Sequence, residues 1–297
     1  MEGIQLDIKG YLRNAELMDD DFMNICLDGN IPAVRAMLVH ILGREDIKIT
    51  RVETQRRLPG FGRDLVLDVY AEEGTYAIYN EEIQNDSRGA VQKRARFHCG
   101  MMDAHYLQEG QGFEELPECW VIFITRRDIF KRGKTMYTIN RYIEGTDEQF
   151  KDGQHIVYVN CSAKDDGSEV WKLIHDMTCR NPDEMLIPEL AETVRYFKGT
   201  GKGEVKVNAY FEASVSKYKE LVAAESRAEG MAKGRAEGRA EGRAEGRAEG
   251  RAEGRAEGRA EFVAKLLAAG AMTIDKIAEV LGLSVAEVQT LADKAGA

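Results

Sequence analysis

An α/β domain built on a mixed sheet is the fold class this sequence predicts, followed by a low-complexity stretch and a small helical module. Three observations carry the prediction. Apolar residues recur at helical spacing in IPAVRAMLVHIL (31–42), period-two stretches run from 47 to 84, and a further helical segment is flanked by compact apolar runs. The expected divisions are 1–220 for the α/β domain, 221–261 for a repeat and 262–297 for a helical hairpin.

Taken in order, an acidic opening, LMDDDF, precedes the helix at 31–42. Strands are expected at IKITRVETQ (47–55), RDLVLDVYA (63–71) and TYAIYNEEIQ (75–84), the last two joined by a turn at Glu72-Glu73-Gly74. A helix from Ser87 to Gln108 follows, then strands WVIFIT (120–125), MYTINRYI (136–143) and HIVYVN (155–160). The 120–125 run has no polar alternation and reads as a strand buried on both faces. Lys202–Val207 reads as a loop entering a charged helix.

Composition narrows the functional class. The longest apolar run, CWVIFI (119–124), is far short of the roughly 20 residues of a membrane span, and the N-terminus lacks a secretion-signal layout, so a cytoplasmic protein is expected. Five scattered cysteines with no C-x-x-C pair argue against a zinc site or a disulfide framework. The formal charge of −10 lies wholly in residues 1–225, which carry 29 basic against 39 acidic residues. Basic residues nevertheless cluster at Arg51–Arg63, at Arg88–Arg96 and at Arg126–Lys134, which makes a local positive face a reading beside scattered surface charge.

Residues 227–262 repeat a four-residue unit, RAEG, with one MAKG variant and a closing RAEF. A flexible spacer is the preferred reading. In a helix the Arg row would lie roughly 200° from the Glu row, every i,i+4 neighbour would be a like-charge pair, and each Gly would cost about 1 kcal/mol relative to Ala. Two such helices pairing Arg row to Glu row is the alternative. In the tail, Gly282 fits a helix C-terminal glycine and Ser284 to Glu287 a capping box. Ile277, Val280, Leu281, Leu283, Val285, Val288 and Leu291 are expected to bury one face. The spacing is like a helix-turn-helix but without a basic recognition face, so a structural or protein-binding module is at least as good a reading as a DNA reader.

The segment YNEEIQND (79–86) carries the chemistry. As a strand, Ile78, Asn80, Glu82 and Gln84 project to one face and Tyr79, Glu81 and Ile83 to the other. A three-residue turn or a bulge sets even positions of the preceding strand opposite even positions here, bringing Asp68 and Glu82 to one surface. Two such carboxylates form a hard-oxygen site suited to Mg²⁺ or Mn²⁺.

Asp68, thirteen residues, then Glu82-x-Gln84 resembles the PD-(D/E)XK nuclease signature. With TQRR (54–57), GFGRDLVLDVYAEEG (60–74), KRARFHCGMMDAHYL (93–107), FEELPECWVIFIT (113–125) and YTINRYIE (137–144), the run over about 15–165 is similar to the Rpn family of recombination-promoting PD-(D/E)XK nucleases and transposases. The resemblance implies a restriction-endonuclease-like core with helices flanking a mixed sheet. It implies metal ligands Asp68 and Glu82, with Gln84 in the place of the usual water-orienting Lys. A further acid comes from the N-terminal helix, among Asp19, Asp20 and Asp21, with Asp21 preferred because it precedes Phe22. Arg63, Arg94 and Arg96 would contact phosphates. His98 is a candidate to assist a leaving group, with a structural role the stronger reading.

The expected function is a Mg²⁺-dependent (or Mn²⁺-dependent) DNA endonuclease of low sequence specificity, promoting recombination or transposition. Its expected partner is DNA, with homo-oligomerisation through the repeat and tail, and no membrane. The alternatives are a non-catalytic interaction protein that keeps the fold and an RNA-directed nuclease.

Overall fold

Six strands form one mixed sheet in the computed structural model, which describes residues 7–60, 62–85, 87–270 and 272–294. They are β1 (Arg51–Leu58), β2 (Leu65–Glu73), β3 (Ala77–Gln84), β4 (Glu118–Thr125), β5 (Met136–Ile139) and β6 (Gln154–Asn160), in spatial order β1-β2-β3-β4-β6-β5. The first three pair antiparallel, β3, β4 and β6 run parallel, and β5 returns antiparallel to β6. The expected mixed sheet flanked by helices is therefore the fold.

Helices α1 (Ile8–Asn14), α2 (Asp20–Leu27) and α3 (Ile31–Leu42) lie on one side with α5 (Glu169–Thr178) and α6 (Pro188–Gly199), sharing a core with Val69, Tyr79, Ile83, Ile122 and Ile124. The other face is covered by α4 (Gln92–Tyr106), whose Ala95, Cys99 and Met102 pack on Leu67, Ile78, Val121 and Phe123. Central β4 is buried from Val121 to Thr125, as its unbroken apolar run requires. The local chemistry explains α3 well. Asn30 caps its first turn by accepting from the Ala33 amide at 3.2 Å, Pro32 sits where a missing N–H costs nothing, and Gly43 ends it at φ 66°.

Several expected boundaries move for identifiable reasons. The β2–β3 loop is Gly74-Thr75-Tyr76, not Glu72-Glu73-Gly74. Glu73 belongs to the strand because its carboxylate is buried, accepting from Tyr79 Oη at 2.6 Å and the Lys48 amide at 3.1 Å. The loop still has three residues, so Tyr70 opposes Asn80 and Glu72 opposes Ile78, which keeps even positions opposite even ones. The helix expected from Ser87 begins as a 3₁₀ turn (Ser87–Ala90), and α4 follows. Lys202–Val207 is no loop: α7 (Gly201–Ala268) starts there, with Val207 buried and the Gly203 amide donating to Thr200 Oγ1 at 2.9 Å. A Cβ on Gly203 would stand 2.3 Å from the Tyr196 carbonyl, so this close turn from α6 needs glycine.

The chain divides into two compact units between Ser214 and Val215. In the second, the repeat is helical within α7. Its MAKG unit places Lys233 four residues before Glu237, giving a 3.9 Å ion pair in a row that is otherwise all Glu. The end of α7 packs with α8 (Ile274–Leu281) and α9 (Val285–Lys294) around Val263, Ile277, Ala278 and Val288. Gly282 closes α8 at φ 65°, and Ser284 with Glu287 forms the expected capping box, the Glu287 amide donating to Ser284 Oγ at 3.3 Å and the Ser284 amide to Glu287 Oε2 at 2.8 Å. Ile277 and Val288 are buried as expected and Ala278 joins them, whereas Val280 and Val285, also expected in this core, are exposed. Among the described residues no single helix is long and apolar enough to cross a membrane, and the five cysteines are unpaired.

Glu81 is the anomaly of the core. It stands between Val69 and Ile122, is 1% exposed, and neither carboxylate oxygen has a hydrogen-bond partner among the described residues. Burial alone pushes its pKa up to about 8. A carboxyl raised in the folded state is protonated there while the unfolded chain has already lost its proton, so its contribution to stability is lost as the pH climbs from 4.5 to about 8. Glu81→Gln is expected to remove that slope, with the variant gaining on the wild type by on the order of a few kcal/mol near pH 8. Urea unfolding across this range measures it, and parallel pH profiles would refute it.

Candidate active site

The site begins where β2 and β3 stop sharing backbone hydrogen bonds. Their ladder runs from Glu73–Ala77 to Val69–Glu81. Beyond it two side chains take over: the Ile83 amide donates to Asp68 Oδ2 at 3.1 Å, and the Asp68 amide donates to Glu82 Oε1 at 3.3 Å. The strands part, and each carboxylate satisfies the other strand's orphaned N–H.

A break in β2 itself prepares this. Leu65 and Leu67 point into the α4-side core, yet Val69 and Ala71 point into the opposite one, so the alternation shifts by one at Asp68. Facing Asp68 across the β1–β2 ladder is Gln55, with φ 52°, a left-handed conformation uncommon for a residue with a side chain. This bulge-like irregularity re-aims Asp68 out of the sheet's regular pleat. Gln55 Nε2 lies 3.5 Å from Asp68 Oδ1 and 3.3 Å from Asn24 Oδ1 of α2, tying the irregular point to a helix.

Glu82 is fully buried on the α4 face. Arg94 Nη2 donates to its Oε2 at 2.6 Å, while Arg94 Nη1 reaches Gln84 Oε1 at 3.3 Å and the Gly89 carbonyl at 3.0 Å. One guanidinium thus spans Glu82 and Gln84. A Cβ on Gly89 would stand 1.8 Å from Gln84 Oε1, so a larger residue there would displace the Gln84 amide from its present position. Arg94 Nε donates to His98 Nε2 at 3.0 Å, and the other ring nitrogen, Nδ1, lies 2.9 Å from Asn80 Nδ2 and 3.5 Å from Glu82 Oε1.

The electrostatics follow from this packing. Burial, with the neighbouring Asp68 charge, holds Glu82 above the ordinary carboxylate range against the pull of Arg94. Burial also raises Asp68, and the charge of Asp20 adds to it, against the Ile83 amide, Arg94 and Gln55. Two partly desolvated carboxylates side by side, both raised by burial, are a donor set of hard oxygens short of positive charge, and a divalent cation fits that chemistry. Among the described residues they form a pair, without a third His, Cys, Asp or Glu close enough to complete a ligand cluster.

The predicted residues are sorted by this geometry. Asp68, Glu82, Gln84 and Arg94 come together. Arg96, two positions along α4 from Arg94, is exposed on a different side, and Arg63 is exposed before β2, near enough for its charge to lower His98. Asp21 is not the N-terminal acid that approaches: it is exposed and accepts from Tyr210 Oη at 3.1 Å, whereas Asp20, one helical step of about 100° away, acts on Asp68. His98 is fully buried and pushed down to about 3 by burial and by Arg94, so near pH 7 it is the neutral imidazole and not the imidazolium that could protonate a leaving group. Gln55, Asn80 and Asn24 were not singled out from the sequence. Asn80 alone had a signal, its even parity with Glu82.

Comparison with known proteins now bears on this arrangement. Residues 28–169 match the family described as PD-(D/E)XK nuclease family transposase. The match spans α3 to β6 and contains Asp68, Glu82, Gln84 and Arg94, leaving Asp20 and Asp21 outside it. No curated protein and no solved structure matches the chain.

Arg94 and Arg96 make a direct test of the geometry. Arg94→Gln leaves buried Glu82 without its charge-assisted bond and is expected to cost about 1–3 kcal/mol of unfolding free energy in EDTA. Arg96→Gln is expected to cost less than about 0.5 kcal/mol. Equal losses in denaturant unfolding would show that Arg94 is not held as described.

Proposed function

We propose that this member of the PD-(D/E)XK nuclease family is a divalent-metal-dependent DNA endonuclease of low sequence specificity, acting in recombination or transposition. The observation that carries the proposal is the Asp68–Glu82 pair, fully buried at Glu82 and half-buried at Asp68, raised in pKa and set where two strands part. Family membership supports a nuclease-like function, and the residues supply a division of labour.

Asp68 and Glu82 would hold Mg²⁺ or Mn²⁺, with Asp20 as the nearby acid that adds negative potential. Once bound, such a cation polarises a phosphate and lowers the pKa of a coordinated water. Gln84, a neutral amide on the same face two residues on, orients a water without lowering its pKa by charge. Arg94 is the cation that neutralises Glu82 in the metal-free protein, and its guanidinium, one-third exposed, is placed to meet a phosphate oxygen when a metal takes over that task. Arg63 and Arg96, both exposed, are peripheral phosphate contacts in this reading. Low specificity is expected because base readout requires side chains set into a groove, and the sequence of this unit carries no motif built for that purpose.

Cleavage of supercoiled plasmid by the full chain with Mg²⁺, Mn²⁺ or EDTA tests the proposal. Nicking is expected with metal only, and Asp68→Ala and Glu82→Ala are each expected to reduce it by at least about a hundredfold. Metal should also raise the melting temperature of the wild type and not of either variant. Absence of nicking, or nicking untouched by both substitutions, would favour a non-catalytic interaction protein.

A further inference from the structure

The chain is acidic, with a formal charge of −10, so the few places where positive charge is left unspent carry information. The first of its three basic clusters is largely consumed internally, and in the second the cation at the site is, while Lys93 and Arg96 stay exposed. Arg51 and Arg56 pair with Glu53 and Glu72, Arg57 pairs with Asp64, and Arg94 pairs with Glu82. The third, between β4 and β5, differs. Arg126 is tied to Glu16 at 2.8 Å, but Arg127, Lys131, Arg132 and Lys134 are exposed and have no ion-pair partner among the described residues.

These four charges do not sit on a slack loop. The Asp128 carboxylate accepts the backbone amides of Phe130, Lys131 and Arg132 at 2.9 Å each and of Gly133 at 2.7 Å, and Tyr137 Oη donates to it at 2.8 Å. Five donors on one carboxylate hold its pKa below the usual value despite some burial. Lys131 and Gly133 take left-handed conformations, φ 56° and 70°, to close this cradle, and Phe130 packs on Tyr137 and Tyr158. The acid that neutralises the loop formally is therefore turned inward on the backbone, while the cations face out.

Its position matters as much as its order. The loop bridges the carboxyl ends of the parallel strands β4 and β6: the Arg126 amide donates to the Gln84 carbonyl at 3.0 Å, and Asn160 Nδ2 donates to the Lys134 carbonyl at 2.9 Å. Its first free cation, Arg127, stands two residues past Thr125, the register partner of Gln84 on β3.

We infer that the Asp128-organised loop at Arg127–Lys134 is a preformed contact surface for the phosphate backbone of DNA, extending the candidate active site along the edge of the sheet. This rests on the proposed nucleic-acid substrate. The chemistry is charge without base reading: ordered Lys and Arg heads displace counterions from phosphates, so affinity depends steeply on salt, by about 0.9 in log–log slope for each phosphate neutralised.

The test is fluorescence anisotropy of a labelled DNA duplex of about 20 base pairs with the full-length protein in EDTA, at several salt concentrations. The variant combines Arg127→Gln, Lys131→Asn, Arg132→Gln and Lys134→Gln, with Asn chosen because it tolerates the left-handed backbone. A control removes Lys9, Arg13, Lys172 and Arg195 on the opposite helical layer. The loop variant is expected to bind at least about tenfold more weakly and to lose about 2–4 from the salt slope, with the control close to wild type. Unchanged affinity and slope in the loop variant, an equal loss in the control, or no duplex binding by the wild type would each overturn the inference. Loop-dependent binding without plasmid nicking would leave it standing and remove the proposed nuclease activity. Nicking with a loop variant that binds like wild type would do the reverse.

Discussion

The parting of β2 and β3 at Asp68 and Glu82 is the constraint on which the rest of the site depends. A sheet that opens in its interior leaves backbone N–H groups without partners, and here two carboxylates accept them. That solution places a buried and a half-buried acid side by side, which is costly unless positive charge is near. Arg94 supplies it from α4, and α4 is held over the sheet by its apolar contacts with β2, β3 and β4. The irregular backbone at Gln55 and the glycine at position 89 are two further local concessions that allow the cluster to assemble.

Carboxylates elsewhere in the protein show why this pair stands apart. Asp128 gathers four backbone amides and a tyrosine hydroxyl, and buried Asp176 accepts from the Leu186 and Ile187 amides at 2.8 Å each, beside His175. Glu16 is met by Arg126 and Arg180. Those acids are saturated by donors and fix loops. Asp68 accepts the Ile83 amide with Gln55 Nε2 at 3.5 Å, Glu82 accepts the Asp68 amide, Asn80 Nδ2 and Arg94 Nη2, and both are nevertheless raised in pKa. Glu81, one residue away and on the other face, is the extreme case, with no donor at all. Glu82 and Asp68 differ from the loop-fixing acids in lying side by side, with burial the leading cause of their raised pKa.

The repeat obeys a different logic. Four residues advance an α-helix by about 400°, so each row of Arg or Glu drifts by about 40° per unit and winds most of the way around the axis over the tract. No lasting apolar or charged face results, and the unit contributes nothing to a core. Foldable structure resumes only where Phe262 replaces the glycine of the repeat and Val263 follows, beginning the three-helix module with α8 and α9.

Much was decided locally. The helical period at 31–42, the apolar run of β4, Gly282, the Ser284 to Glu287 box and the shared face of Asn80, Glu82 and Gln84 follow from spacing and side-chain chemistry within a few residues, so the sequence alone determined them. The parity that joins Asp68 to Glu82 was also legible, even though the turn lies two residues later than its composition suggested. What only tertiary structure decided were the choices that depend on helix rotation and on a break in the sheet. Asp20 rather than Asp21 approaches Asp68, and Arg94 rather than Arg96 enters the site, because each residue of a helix turns about 100° and packing sets the zero of that rotation. The shift of alternation at Asp68 needed Gln55 and Asn24, far apart in the chain, and no local pattern encodes a contact between distant residues.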